Sequence, residues 1–269
     1  MPTKVHIFGG TCKFNDKKDK NICFFIVLRW KNASLLIDLS IILTENSEKT
    51  CVIAKKAVPL QPISCSARHR TLLKMNKLSS VAIYCSASNK VRPSYMEAAR
   101  RLGELFAQEG IRMIYGDGGI GLMAAAAEGA LDAGGEVLGV IPQFMVDAGW
   151  NNPRSTRTIV TETMHERKAT IVREADAMVA LPGGIGTFEE LLECLTWKQL
   201  GLHTCPVVIL NTDGYYDRLL DCLDFMIEEQ MMRPIHRNMY IVVSTPEEVI
   251  PALQSSPEWD AATRRLAAI

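Results

Sequence analysis

From Ser80 onward, short apolar runs alternate with longer amphipathic segments, and the joints between them are short. A chain patterned in this way has few folds open to it. Each run is too short for a helix and too apolar for a surface strand, so it reads as a strand buried on both faces. Strands that alternate with helices pair in parallel and carry helices on both faces of the sheet. The runs are 80–85, 111–115, 136–141, 158–161, 177–181, 206–210 and 239–243. Helices are expected at about 94–109, 122–133, 164–174, from about Phe188 toward Leu200, at 216–229 and at 246–253. The first helix has apolar positions at Ala98, Leu102, Leu105 and Phe106, and Gly110 ends it. Residues 143–156 read as a loop. The fold class is α/β.

Ligands of such sheets bind beyond the carboxyl ends of the strands, and two glycine-rich segments fall there. Pro182-Gly183-Gly184-Ile185-Gly186-Thr187-Phe188-Glu189-Glu190 follows the run Ala177 to Leu181 and leads into a helix. Its glycines let backbone N–H groups approach a ligand, and the helix N-terminus behind them favours an anion. Two carboxylates sit in the first turn. A phosphate cradle beside an acid suits chemistry on a phosphorylated sugar; the plainer reading is a tight turn.

Tyr115-Gly116-Asp117-Gly118-Gly119-Ile120-Gly121 is the second segment. It contains G-x-G-x-x-G, but the next strand ends at Ile141-Pro142 and carries its only acid, Glu136, at its start. A ribose-holding acid is expected at the other end, and the loop does not follow the first strand, so the pattern argues against a dinucleotide. Contact of Gly118 and Gly119 with a phosphate or nucleotide is the stronger expectation. Asp117 beside a phosphate would repel it, and is expected to face ribose, a backbone amide or solvent.

Ser86 and Ser88, in the Cys85 to Asn89 segment, can hold a phosphate or base, or simply cap a helix. Met164-His165-Glu166-Arg167-Lys168 opens a helix. Arg167 and Lys168 project about 100° apart, so one or both can face a cleft, although a solvated charged face is the default. His165 reads as structural. No histidine or carboxylate spacing suits a metal, and no cofactor is expected.

The chain is 48% hydrophobic and 22% charged, as a globular protein is. Its zero net charge is unevenly divided: residues 1–74 carry +8 and residues 75–269 carry −8. An acidic main body argues against nucleic acid as a partner. No apolar run is long enough to span a bilayer, so no membrane is expected. The eight cysteines form no CxxC pair, which argues against a metal site or disulfide framework and for reduced thiols in a cytoplasmic protein. Residues 1–74 share no motif with the rest. They are expected to be an N-terminal extension, poorly ordered or a mis-assigned start, before a domain at 75–256 and a tail at 257–269.

Taken together the motifs resemble the LOG ("Lonely Guy") family of cytokinin riboside 5′-monophosphate phosphoribohydrolases. That family is marked by P-G-G-x-G-T-x-x-E, present from Pro182 to Glu190, and by M-x-x-R-K, present from Met164 to Lys168. The similarity continues through Thr196-Trp197-Lys198-Gln199-Leu200-Gly201 and Asn211-Thr212-Asp213-Gly214-Tyr215-Tyr216, and covers about residues 79–255. The resemblance implies a Rossmann-like fold and a homodimer with active sites near the subunit interface. It implies hydrolysis of a nucleoside 5′-monophosphate to a free base and ribose 5-phosphate. Arg167 and Glu190 fall on the catalytic pair. Lys168, Gly183, Gly184, Ile185, Gly186, Thr187, Phe188, Glu189 and Thr196 fall on substrate-contacting positions. The family's usual Y-G-G-G carries Asp117 here. A molybdenum-cofactor carrier-like or nucleotide-sensing module on the same fold is the alternative from another class. Relatives have also been labelled lysine decarboxylases, a reading these residues do not support.

Overall fold

The computed structural model describes residues 78–262 in full, together with the backbone of four short strands nearer the N-terminus. The chain divides into two units, Met1–Pro62 and Ile63–Ile269. In the first, β1 (His6–Gly9), β2 (Ile22–Val27), β3 (Leu39–Leu43) and β4 (Cys51–Ala54) pair antiparallel in the order β1-β2-β3-β4. The expectation of a poorly ordered extension otherwise falls on residues outside the described ones.

The second unit holds a seven-stranded, wholly parallel sheet. Its strands are β5 (Ser80–Tyr84), β6 (Arg112–Tyr115), β7 (Val137–Pro142), β8 (Arg157–Thr161), β9 (Ala177–Ala180), β10 (Val207–Leu210) and β11 (Ile241–Val243). The spatial order is β11-β10-β9-β5-β6-β7-β8. The chain thus runs outward from β5 to β8, returns to lay β9 on the other side of β5, and runs outward again. The order reverses between β5 and β9, and there the loops leaving the two strands part to opposite faces and open a crevice.

Among the described residues seven α-helices accompany the sheet: α1 (Pro93–Gln108), α2 (Gly121–Asp132), α3 (Gln143–Asp147), α4 (Met164–Glu174), α5 (Ile185–Gln199), α6 (Asp217–Glu228) and α7 (Pro246–Gln254). Alternate residues of a strand serve opposite faces, and β5 shows it. Val81 and Ile83 enter a core with Leu102 and Phe106 of α1, Leu122 of α2 and Val249 of α7. Ala82 and Tyr84 enter a second core with Ile171 of α4 and Leu191 and Leu195 of α5. Trp259, from the segment expected to be a tail, is buried in the second core and donates from its indole to the Lys198 carbonyl at 2.9 Å.

Two local expectations need correction. Residues 143–147 form the single-turn α3, started by the extended Pro142. The helix expected from Phe188 begins at Ile185, with Gly184 as its N-cap. The glycine loop is therefore itself the helix N-terminus.

Candidate active site

Three loops meet at the β5/β9 crevice and are stitched together by backbone hydrogen bonds. Leu181 N–H donates to Tyr84 O at 2.9 Å and Ser86 N–H to Pro182 O at 3.1 Å, joining the loops after β9 and β5. Met123 N–H donates to Ser86 O at 3.3 Å, and Gly121 N–H to the Asn89 side chain at 2.7 Å, adding the loop after β6. The hydroxyl oxygens of Ser86 and Ser88 accept from Ser88 N–H and Lys90 N–H, which shapes their own turn. Gly118 bridges to Asn151, and Gly119 N–H is taken by Trp150 O at 3.1 Å.

Not all the glycines serve the same end. A Cβ on Gly183 would lie 2.1 Å from Thr187 Oγ1, so packing requires that glycine. Gly184 and Gly186 are different: a Cβ there would meet nothing within 4 Å, and Gly184 has an ordinary φ of −83°. Neither backbone strain nor the protein's own packing asks for glycine at these two positions, and both are exposed. Among the described residues, the N–H groups of Gly184, Ile185, Gly186 and Thr187 have no hydrogen-bond acceptor. Those unpaired donors at a helix start are what an anion needs.

Arg167 and Glu190 face each other beside this loop. Thr163 caps α4 by accepting from Glu166 N–H at 3.1 Å, and the Glu166 carboxylate accepts from Glu162 N–H at 2.8 Å. This fixes the start of α4 and places Arg167 one turn in. Its guanidinium donates to Val140 O at 3.1 Å and Gly116 O at 3.4 Å, and its third nitrogen lies 3.4 Å from Glu190 Oε1. A Cβ on Gly116 would sit 1.8 Å from that guanidinium, so Gly116 makes room for it. Both charged side chains are buried. Burial lifts the Glu190 pKa above the usual carboxylate range, and the Arg167 charge opposes that lift.

Lys168, the next residue, is also buried. It pairs with Glu189 and, at 3.0 Å, with Glu193 on successive turns of α5. Burial works against its charge, but the two carboxylates outweigh it and the pKa is raised. Lys168 thus ties α4 to α5 on either side of Glu190. Glu193 carried no role in the sequence reading; its signal was its i+4 spacing from Glu189.

The remaining expected residues are placed as follows. Thr187 is buried under the loop, and Ile185 is 89% exposed. Phe188 packs its ring on Tyr215 and Tyr216. Thr196 is exposed, bonds its hydroxyl to Leu192 O at 2.7 Å, and lies about 9 Å beyond Glu190 along α5.

Asp117 departs from expectation. It does not face solvent but is fully buried at φ 59°. Its carboxylate accepts from Ser155 at 2.5 Å and Thr158 at 3.1 Å, and its carbonyl accepts from Asn152 N–H at 2.8 Å. It pins the 150–158 segment to the second glycine loop. Asp117→Ala should cost about 2–3 kcal/mol, from two lost side-chain hydrogen bonds and a left-handed backbone without a helpful side chain. The shift of the urea unfolding midpoint measures it.

Among the described residues no group of three or more His, Cys, Asp or Glu side chains could hold a metal ion. Cys85, Cys194 and Cys222 are free thiols. No described helix is long and apolar enough to cross a membrane.

Fold and site together define a Rossmann-like α/β domain with a glycine loop of unpaired N–H groups and a buried arginine–glutamate pair at its switch point. Residues 123–253 match the family model described as "Possible lysine decarboxylase". The chain is 38% identical over 192 residues to the cytokinin riboside 5′-monophosphate phosphoribohydrolase LOG7 of Arabidopsis thaliana, covering 71% of this chain and 88% of that protein. It is 36% identical over 189 residues to the probable enzyme LOGL6 of Oryza sativa subsp. japonica, covering 70% and 76%. The chain belongs to the LOG family. The molybdenum cofactor binding protein of Rippkaea orientalis superposes with a TM-score of 0.52 at 24% identity, over 66% of this chain and 97% of that one. The molybdenum cofactor carrier protein of Chlamydomonas reinhardtii does so at 0.52 and 22%, over the same shares. These two likenesses show the fold.

Proposed function

We propose that this chain hydrolyses the N-glycosidic bond of a nucleoside 5′-monophosphate, releasing the free base and ribose 5-phosphate. The substrates are a cytokinin riboside monophosphate, AMP, or both. The observation that carries this reading is the buried Arg167–Glu190 pair set beside a loop of unpaired N–H donors. The 5′-phosphate binds the N-terminus of α5, so binding energy far from the scissile bond positions the sugar. Breaking the C1′–N bond makes the sugar cationic. The Glu190 carboxylate stabilises that cation and orients the attacking water, and Arg167 keeps Glu190 ionised. A carrier of the same fold needs no buried acid at its ligand. Lys168, the lysine nearest the site, is held by two carboxylates, which speaks against an imine-forming role.

The homodimer belongs to the same proposal. Ile185 and Leu192 of α5 and its C-cap Leu200 are exposed and fall on one stripe, with Thr196 in its midst. A second copy covering that stripe gives Thr196 a site to reach.

The test is chromatography of free base after incubating the purified chain with AMP and with isopentenyladenosine monophosphate. Release from either supports the reading, and the rate ratio separates a hormone-directed enzyme from a broader nucleotide nucleosidase. Release from neither would refute it. Gly184→Val tests the cradle separately. Its Cβ enters open space at an ordinary φ, so stability should move by no more than about 0.5 kcal/mol. The KM should rise about tenfold or more; an unchanged KM counts against phosphate at this loop.

A further inference from the structure

The three carbonyls that lead into the glycine loop are each held from behind. Tyr216 Oη donates to Leu181 O at 2.6 Å, Ser86 N–H donates to Pro182 O at 3.1 Å, and Tyr215 Oη donates to Gly183 O. The two tyrosines come from the segment after β10, beyond the 3-10 turn Thr212–Gly214, and have no part in the chemistry so far assigned. They are braced rather than free. Tyr215 and Tyr216 meet edge to face at 5.1 Å between ring centroids, Tyr95 of α1 packs edge-on to Tyr215 at 5.6 Å, and Phe188 of α5 lies 5.6 Å from Tyr216. Asn211 holds the pair from below, accepting from Tyr216 N–H at 2.6 Å.

In a trans peptide the C=O and N–H point in opposite directions, and no described peptide bond is cis. Fixing Gly183 O against Tyr215 therefore turns the Gly184 N–H the other way, off the aromatic cluster. Fixing Pro182 O on Ser86 does the same for the Gly183 N–H. A loop of two adjacent glycines has many conformations open to it. Without these anchors the Gly183 and Gly184 N–H groups, which precede the helix, would have no set direction, and ordering them would weaken ligand binding.

We infer that Tyr215 is a positioning residue for the phosphate cradle: by holding the Gly183 carbonyl it aims the Gly184 N–H at the 5′-phosphate. This rests on the phosphate reading proposed above. Tyr216 differs in kind. The Leu181 carbonyl it holds belongs to the peptide of Pro182, which has no N–H to aim, so Tyr216 sets where the loop starts and not where it donates.

The test compares Tyr215→Phe and Tyr216→Phe in the full chain. Each keeps its ring and loses one hydroxyl. Tyr215→Phe should raise the KM for the nucleotide and the inhibition constant of ribose 5-phosphate together, by about tenfold, with kcat within about twofold. Tyr216→Phe should move both constants less than threefold, by the same reasoning about the missing N–H. A fall in kcat at constant KM in Tyr215→Phe, or equal effects in the two variants, would mean a general structural role and overturn the inference. A second measurement needs no variant: the Gly184 amide resonance of the ¹⁵N-labelled protein should shift on adding ribose 5-phosphate. If ribose 5-phosphate binds and the Gly184 amide does not move, the positioning inference fails alone. If neither ribose 5-phosphate nor nucleotide binds the unaltered protein, the phosphate reading and the inference fall together.

Discussion

Glu190→Gln should lower turnover of the nucleotide about a thousandfold while its binding stays within a few-fold of the unaltered protein. The substitution keeps the shape of a buried side chain 3.4 Å from Arg167 and removes only its charge. A carboxylate matters most where the sugar becomes cationic, which is in the transition state and not in the bound substrate. Its loss therefore falls on kcat. Base release followed by chromatography, with nucleotide affinity measured by calorimetry, checks both halves. Retained turnover would remove Glu190 from the mechanism. A matching loss of binding would make it a substrate-holding group.

Arg167→Ala should reduce turnover at neutral pH by about a hundredfold to a thousandfold, and part of that loss should return as the pH rises. Burial raises the Glu190 pKa and the Arg167 charge holds it down. Glu190 works ionised, so activity is present above its folded pKa and is lost as pH falls through it. In the unaltered protein that acid limb lies above the range of an ordinary glutamate. Removing Arg167 takes away the opposing charge, so the limb moves to higher pH. The same variant leaves two backbone carbonyls, of Val140 and Gly116, without their donor. Removing one partner of a buried pair costs about 3–5 kcal/mol, less what Glu190 regains by taking up a proton. A pH–rate profile of the variant whose acid limb does not move would separate Arg167 from the ionisation of Glu190.

Much of this molecule is legible in its residue order. The helix Met164–Glu174 has the expected ends, and the Thr163 side chain caps it by accepting from Glu166 N–H. The strand before the glycine loop ends one residue earlier than expected, at Ala180. The start of α5 was misplaced by three residues. Glycines are poor helix formers, so Gly184-Ile185-Gly186 reads as loop until the fold turns it into a first helical turn. The role of Asp117 is hidden for a related reason. The sequence shows an acid in a glycine loop, but its partners Ser155 and Thr158 are supplied by a segment some forty residues away.

Residue order alone determines the succession of strands and helices and the two glycine loops at strand ends, which rest on short patterns that repeat wherever a strand or helix has one buried side. The candidacy of Arg167 and Glu190 comes from the resemblance of longer motifs to a known family. Tertiary structure decides which of them meet. Only the return of β9 to the side of β5 brings the Ser86 loop against Pro182. Only the packing of α4 beside α5 brings Arg167 to Glu190, and Lys168 to Glu189 and Glu193. Only the docking of Tyr215 and Tyr216 behind the loop separates the carbonyls that are used from the N–H groups that are open. Contacts between residues distant in sequence depend on strand order, which no local pattern encodes.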